Sequence, residues 1–129
     1  MDTPLIRAAQ IEYDKIENTM SPAIENSLVR FNAIGFRHLI RKARMRSRAE
    51  QISRFNLIKY APIIVGDPRV AVTYRQDIRI DGRIVRYWAL HKKIDGKRLS
   101  VIVRQVGNGE KHFYSIMERK PKHATKNPA

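Results

Sequence analysis

From residue 70 to residue 118 the apolar residues alternate with polar ones, and three turn signals, Asp81-Gly82, Asp95-Gly96 and Gly107-Asn108-Gly109, cut the stretch into four segments. Residues 70–80, 84–94, 98–106 and 111–118 are rich in β-branched and aromatic side chains, as half-buried strands are. Short turns between such runs permit only neighbouring antiparallel pairing, so the second half of the chain is expected to form a four-stranded antiparallel meander. A two-residue Asp95-Gly96 turn sets Leu90 opposite Val101 and Trp88 opposite Val103, joining apolar to apolar. A three-residue turn at 81–83 sets Tyr74 opposite Leu90 and Ile80 opposite Ile84, and a four-residue last turn sets Ile116 opposite Val101. Trp88 then belongs to the core side.

The first half keeps helical period. Thr3 and Pro4 suit an N-cap and first helical residue, and Leu5, Ala9, Tyr13, Ile16 and Met20 follow on one face. Ser21 and Pro22 repeat that start, Ile24, Leu28, Phe31 and Ile34 make a second stripe, and Gly35 can end it. Phe36, Leu39, Ile40 and Ala43 continue in helical spacing. Ser47 and Glu50 form a capping box that restarts a helix through Ile52, Phe55 and Ile58, stopping before Pro62. The expected fold class is α+β, with N-terminal helices packed on one face of the meander. At 129 residues the chain holds one core, divided here into an N-terminal helical segment (1–32), a main domain (33–120) and a basic tail (121–129) that includes His123.

Charge is distributed unevenly. Three basic and five acidic side chains precede position 33, while 23 basic and seven acidic ones follow, so the net charge passes from −2 to +16. A field of that sign attracts polyanions and releases their counterions, which makes nucleic acid the leading partner class. An anionic membrane surface would call for one basic amphipathic helix with an aromatic face, whereas this charge spreads over helices and strands. No apolar run approaches the ~20 residues of a membrane span, and the first nine residues lack the basic and apolar regions of a signal peptide. With no cysteine, and with four histidines that have no ligand-like spacing, neither disulfides nor a metal or other cofactor is expected.

In the registers above, one sheet face collects Thr73, Arg75, Tyr87, Ala89, His91, Lys93, Ser100, Ile102, Arg104, Phe113 and Ser115. Its charges are all positive, with Asp77 at the margin, whereas a merely solvated face is usually mixed in sign. Cations for phosphate and rings for bases make such a face a seat for an RNA strand. Arg37, Arg41, Arg44 and Arg48 recur at helical spacing as a second basic stripe. His112 falls on the apolar side in this register.

Helices containing His38-Leu39-Ile40, a junction Tyr60-Ala61-Pro62-Ile63-Ile64-Val65-Gly66-Asp67-Pro68 and a meander ending in Phe113-Tyr114-Ser115 resemble the barnase, EndoU, colicin and RelE (BECR) superfamily of ribonucleases. The likeness covers residues 36–120 and is nearest to the phage-associated branches and the toxin domains of contact-dependent inhibition proteins. It implies a BECR-type nuclease fold and metal-independent RNA cleavage by attack of the ribose 2′-hydroxyl, giving 2′,3′-cyclic phosphate and 5′-hydroxyl ends, with tRNA the commonest substrate of the toxin branches. It further implies part of a larger exported protein, a secreted or delivered effector acting in the cytoplasm of a bacterial target cell, and a cognate acidic immunity protein. His38 matches the family's helix-borne histidine and Ser115 the hydroxyl residue of its last strand. The candidate catalytic residues are therefore His38, His91, Arg75, Arg104 and Ser115, with Arg37, Arg41, Arg44, Tyr87 and Lys93 binding substrate. Histidine suits proton transfer near neutral pH and arginine suits a phosphate's oxygens. A noncatalytic RNA-binding module and a phage-associated accessory protein remain the alternatives.

Overall fold

The computed structural model describes residues 3–43, 46–79 and 81–119; Arg44, His123 and the tail expected at 121–129 lie outside them. In chain order the elements are α1 (Thr3–Asp14), β1 (Thr19–Ser21), a 3-10 turn (Pro22–Ile24), β2 (Ser27–Arg30), α2 (Ala33–Ala43) and α3 (Arg48–Phe55). A second 3-10 turn (Ile58–Tyr60), α4 (Ala61–Val65), β3 (Ala71–Ile78), β4 (Ile84–Ile94), β5 (Lys97–Val106) and β6 (Lys111–Glu118) follow. The α+β class is as expected, and β3 to β6 pair antiparallel in sequence order. The sheet, however, has six strands rather than four and is mixed, ordered β1-β2-β6-β5-β4-β3, because β2 pairs parallel with β6.

The helix expected to run from Ser21 to Ile34 is therefore absent. Pro22 opens only a 3-10 turn, and Glu25 and Asn26 both adopt left-handed backbone (φ 53° and 55°), which reverses the chain into β2. Val29 then enters the core with no exposed surface, while Leu28 stays exposed beside Met20. Residues ahead of position 32 thus supply two strands of the common sheet together with Tyr13, Ile24 and Val29 of the common core. The first helix ends at Asp14, short of Ile16 and Met20.

Gly35 does not terminate a helix but lies in the first turn of α2, where a Cβ would come within 2.3 Å of the Phe113 carbonyl oxygen. Its missing side chain is what lets α2 lie directly on β6. Phe36 and Leu39 are buried from that helix, and Tyr13 packs against Phe36, Phe31 and Phe113 while its hydroxyl donates to the Asn32 carbonyl at 2.7 Å. Ser47 caps α3 as expected, accepting from the Glu50 amide at 3.2 Å. That helix stops at Phe55, and Pro62, expected to follow a helix, instead occupies the first turn of α4. Leu90, Leu99, Val101, Val103, Phe113 and Ile116 complete the core from the sheet, with Trp88 half-buried against it.

The hairpin at Asp95-Gly96 has the expected register, with Leu90 opposite Val101 and Trp88 opposite Val103, and both turn residues have positive φ. At the first hairpin the pairing slips by two residues: Ile78 faces Ile84 and Tyr74 faces Trp88, while Ile80, expected opposite Ile84, lies outside the described residues. An even slip leaves every side chain on its expected face. At the last hairpin Val101 faces Ile116 and Ile102 faces Ser115 as expected, but the next pair is Val103 with Phe113, so Tyr114 is an extra, bulged residue. An odd slip exchanges the faces beyond it. Phe113, expected on the polar face, is fully buried in the core, and His112, expected on the apolar side, lies opposite Arg104 on the polar face.

Candidate nucleic-acid interface

Because of the bulge, one cross-strand row on the polar face reads Arg75, Tyr87, Arg104, His112 and Arg30 from β3 through β2. The extra residue, Tyr114, stands in the middle of it. His38 of α2 stacks on the Tyr114 ring with centroids 3.8 Å apart and planes inclined by 21°. Arg104 lies over the same ring at 4.8 Å, Tyr87 meets it edge-on at 6.1 Å and His112 at 6.3 Å. Arg75 in turn covers the Tyr87 ring at 4.6 Å. A π-face flanked by guanidinium is a favourable seat for positive charge, so the two tyrosines hold two arginines in fixed places on one surface.

Beside this cluster runs a cleft of about 830 Å³ bordered by His38, Arg46, Arg54, Thr73, Arg75, Tyr87, Tyr114, Ser115 and Met117. Arg46 and Arg54 come from the region around α3, so cations line it from the helical side as well as from β3. Burial, together with the neighbouring Arg46, draws the Arg54 guanidinium below its usual value, with Glu50 opposing. Arg75 also pairs with Asp77 at 3.2 Å, the carboxylate at the margin of the face. The Arg104 Nε and His112 Nε2 atoms are buried and have no hydrogen-bond partner among the described residues. Buried polar atoms left without partners cost stability unless a ligand or water satisfies them.

The structure brings His38, Arg75, Tyr87, Arg104 and Ser115 together and sets His91 apart. His91 lies two rows from the tyrosine cluster, opposite Ser100. Its Nδ1 is 2.7 Å from Ser100 Oγ and 3.3 Å from an Arg119 nitrogen, and its Nε2 is 3.1 Å from Thr73 Oγ1. Since a guanidinium only donates, Nδ1 accepts, and the remaining Nε2–H donates to Thr73. Burial, and then Arg119, lower the His91 pKa, which agrees with that neutral form. Arg37 and Arg41 are exposed on α2, and Lys93 is exposed near the β4 end.

His112, Tyr114, Arg46 and Arg54 were not among the residues expected here. A signal for the first two was present. Phe113 and Ile116 are three apart in a strand whose inward positions recur every two, and an odd spacing requires an extra residue between them. Arg46 and Arg54 carry no such mark, since only the placement of α3 brings them to the cleft.

His112 is almost wholly buried, and burial followed by the Arg104 charge lowers its pKa. A histidine neutral in the fold but protonated in the unfolded chain contributes stability that is complete above the unfolded value of about 6.5 and is lost as pH falls through the depressed folded value. The urea midpoint is therefore expected to drop between pH 7 and pH 5, and to drop less in His112→Gln. An equal pH dependence in both proteins would remove His112 as a cause.

Among the described residues no group of three or more His, Asp or Glu is placed to hold a metal ion, and no helix is long and apolar enough to cross a membrane. Comparison of the chain with protein-family models, with curated proteins and with solved structures finds no match.

Proposed function

We propose that the chain is a metal-independent endoribonuclease of BECR type whose site is the cleft beside Tyr114. The observation that carries this reading is the cluster around the bulged Tyr114, where two histidines, two arginines and two tyrosines meet, while the carboxylates Asp77, Glu110 and Glu50 pair with Arg75, Arg30 and Arg46 around it. RNA in the cleft would set a base against Tyr87 or Tyr114 and a phosphate between Arg75 and Arg104. His38 takes the proton of the 2′-hydroxyl, the 2′ oxygen bonds to phosphorus, and the bond to the 5′ oxygen breaks, that oxygen taking a proton from solvent. Arg104, Arg75 and the Ser115 hydroxyl stabilise the added negative charge of the transition state. Cyclic phosphate and 5′-hydroxyl ends are the products.

The wider reading follows from the same resemblance. The chain acts as the toxin part of a delivered effector, cuts tRNA in the cytoplasm of a bacterial target cell, and is held inactive in its producer by an acidic immunity protein that covers the basic face. Opposite charge gives such an inhibitor fast capture. A noncatalytic RNA-binding protein would use the same charge without the histidine. Incubation with total RNA in EDTA separates the two: the nuclease cuts despite chelation, whereas the binding module retains RNA without new ends.

A further inference from the structure

On the same polar face, at the far end of β4 and β5, Lys93 stands directly opposite Arg98, and the Arg98 carbonyl accepts from the Arg119 amide at 2.7 Å. Like charges facing each other across a strand pair are destabilising. No carboxylate pairs with Lys93, Arg98 or Arg119 among the described residues. Asp95, the nearest acid in the turn, is engaged elsewhere by the Tyr60 hydroxyl at 3.3 Å. The third cation is also positioned: Arg119 reaches across to the Nδ1 of His91, whose ring is fixed by Ser100 and Thr73. Three cations with no internal counter-charge, one of them aimed by a histidine with both nitrogens occupied, form a second anion seat.

We infer that this corner is a distal phosphate subsite, which makes the substrate a stacked single strand of several nucleotides rather than a short end or a mononucleotide. The inference rests on the ribonuclease reading and adds the substrate's minimum length to it. Along β4 the separation from the Tyr87 row is four residues to His91 and six to Lys93, or about 13 to 20 Å at ~3.3 Å per residue. At ~3.4 Å per stacked nucleotide that distance is about four to six nucleotides of one strand. A stacked trinucleotide, about 7 Å long at the same rise, falls short of spanning both places, whereas a 12-mer spans them. His91 on this account is a positioning residue that orients Arg119.

The test compares wild type with the triple variant Lys93→Ala, Arg98→Ala, Arg119→Ala on a 12-nucleotide RNA and a trinucleotide, and measures binding of a 2′-O-methyl 12-mer that cannot be cut. Expected is a fall of about tenfold or more in the ratio of 12-mer to trinucleotide kcat/KM. The salt slope of 12-mer binding should flatten by about two, near 0.7 for each of three lost contacts. Equal losses on both lengths, or unchanged 2′-O-methyl RNA binding, would overturn the subsite. If no RNA is cut but the variant still loses affinity for the 12-mer, the subsite stands and the ribonuclease reading fails.

Discussion

Replacing His38 by alanine is expected to lower RNA cleavage by about 10² to 10⁴, the range lost with a group that transfers a proton in the transition state. His38 is the histidine that borders the cleft, and its ring lies on Tyr114, over which Arg104 also lies. Because the side chain is only half-buried, the variant should keep its far-ultraviolet dichroism and unfold within about 1 kcal/mol of wild type. His91→Ala should lose far less, since that ring lies two rows away among hydroxyls. Initial rates on one RNA for the two variants decide between them. Retained activity in His38→Ala with a collapse in His91→Ala would move the chemistry to the other end of the sheet.

The largest expected effect on stability comes from Gly35→Ala. The added methyl would meet the Phe113 carbonyl at 2.3 Å, the Phe113 ring at 2.9 Å and the Tyr13 hydroxyl at 3.0 Å. Two of those atoms belong to the side chains of buried aromatic residues, and the nearest belongs to the backbone of β6, so relief requires α2 to lift off the sheet. Overpacking of this kind costs about 3 kcal/mol, against which the better helix propensity of alanine offsets at most about 1. A fall of roughly 10 °C in Tm is expected. A Tm within about 2 °C of wild type would mean that α2 does not sit where described. Lifting α2 would also carry His38 away from Tyr114, so activity should fall with stability.

Several parts of this arrangement could be read from local chemistry. The N-cap at Ser47, the helical stripe from Phe36 to Leu39 and the Asp95-Gly96 hairpin each depend on residues near one another in sequence, and each lies where expected. The slip at the first hairpin is even, so the side chains of β3 keep their expected faces. What the local pattern missed depends on distant partners. Strands β1 and β2 are three and four residues long, too short to show a period of two, and β2 owes its place to parallel pairing with β6. Gly35 reads as a helix stop unless Phe113 is known to lie against it. The site shows the same division: Arg75, Tyr87 and Arg104 followed from alternation, but His112 and Tyr114 depended on one extra residue in β6.

On the proposed mechanism the face organised by Tyr114 cuts RNA through the ribose 2′-hydroxyl. It is tested most directly by analysing the ends formed when purified protein cleaves a defined RNA in EDTA, alongside the same RNA carrying 2′-deoxyribose at the cut position. Expected are 2′,3′-cyclic phosphate and 5′-hydroxyl ends from the ribose substrate, and none at that position from the deoxy substrate. Intact RNA, or 5′-phosphate ends that appear equally in the deoxy substrate, would contradict it.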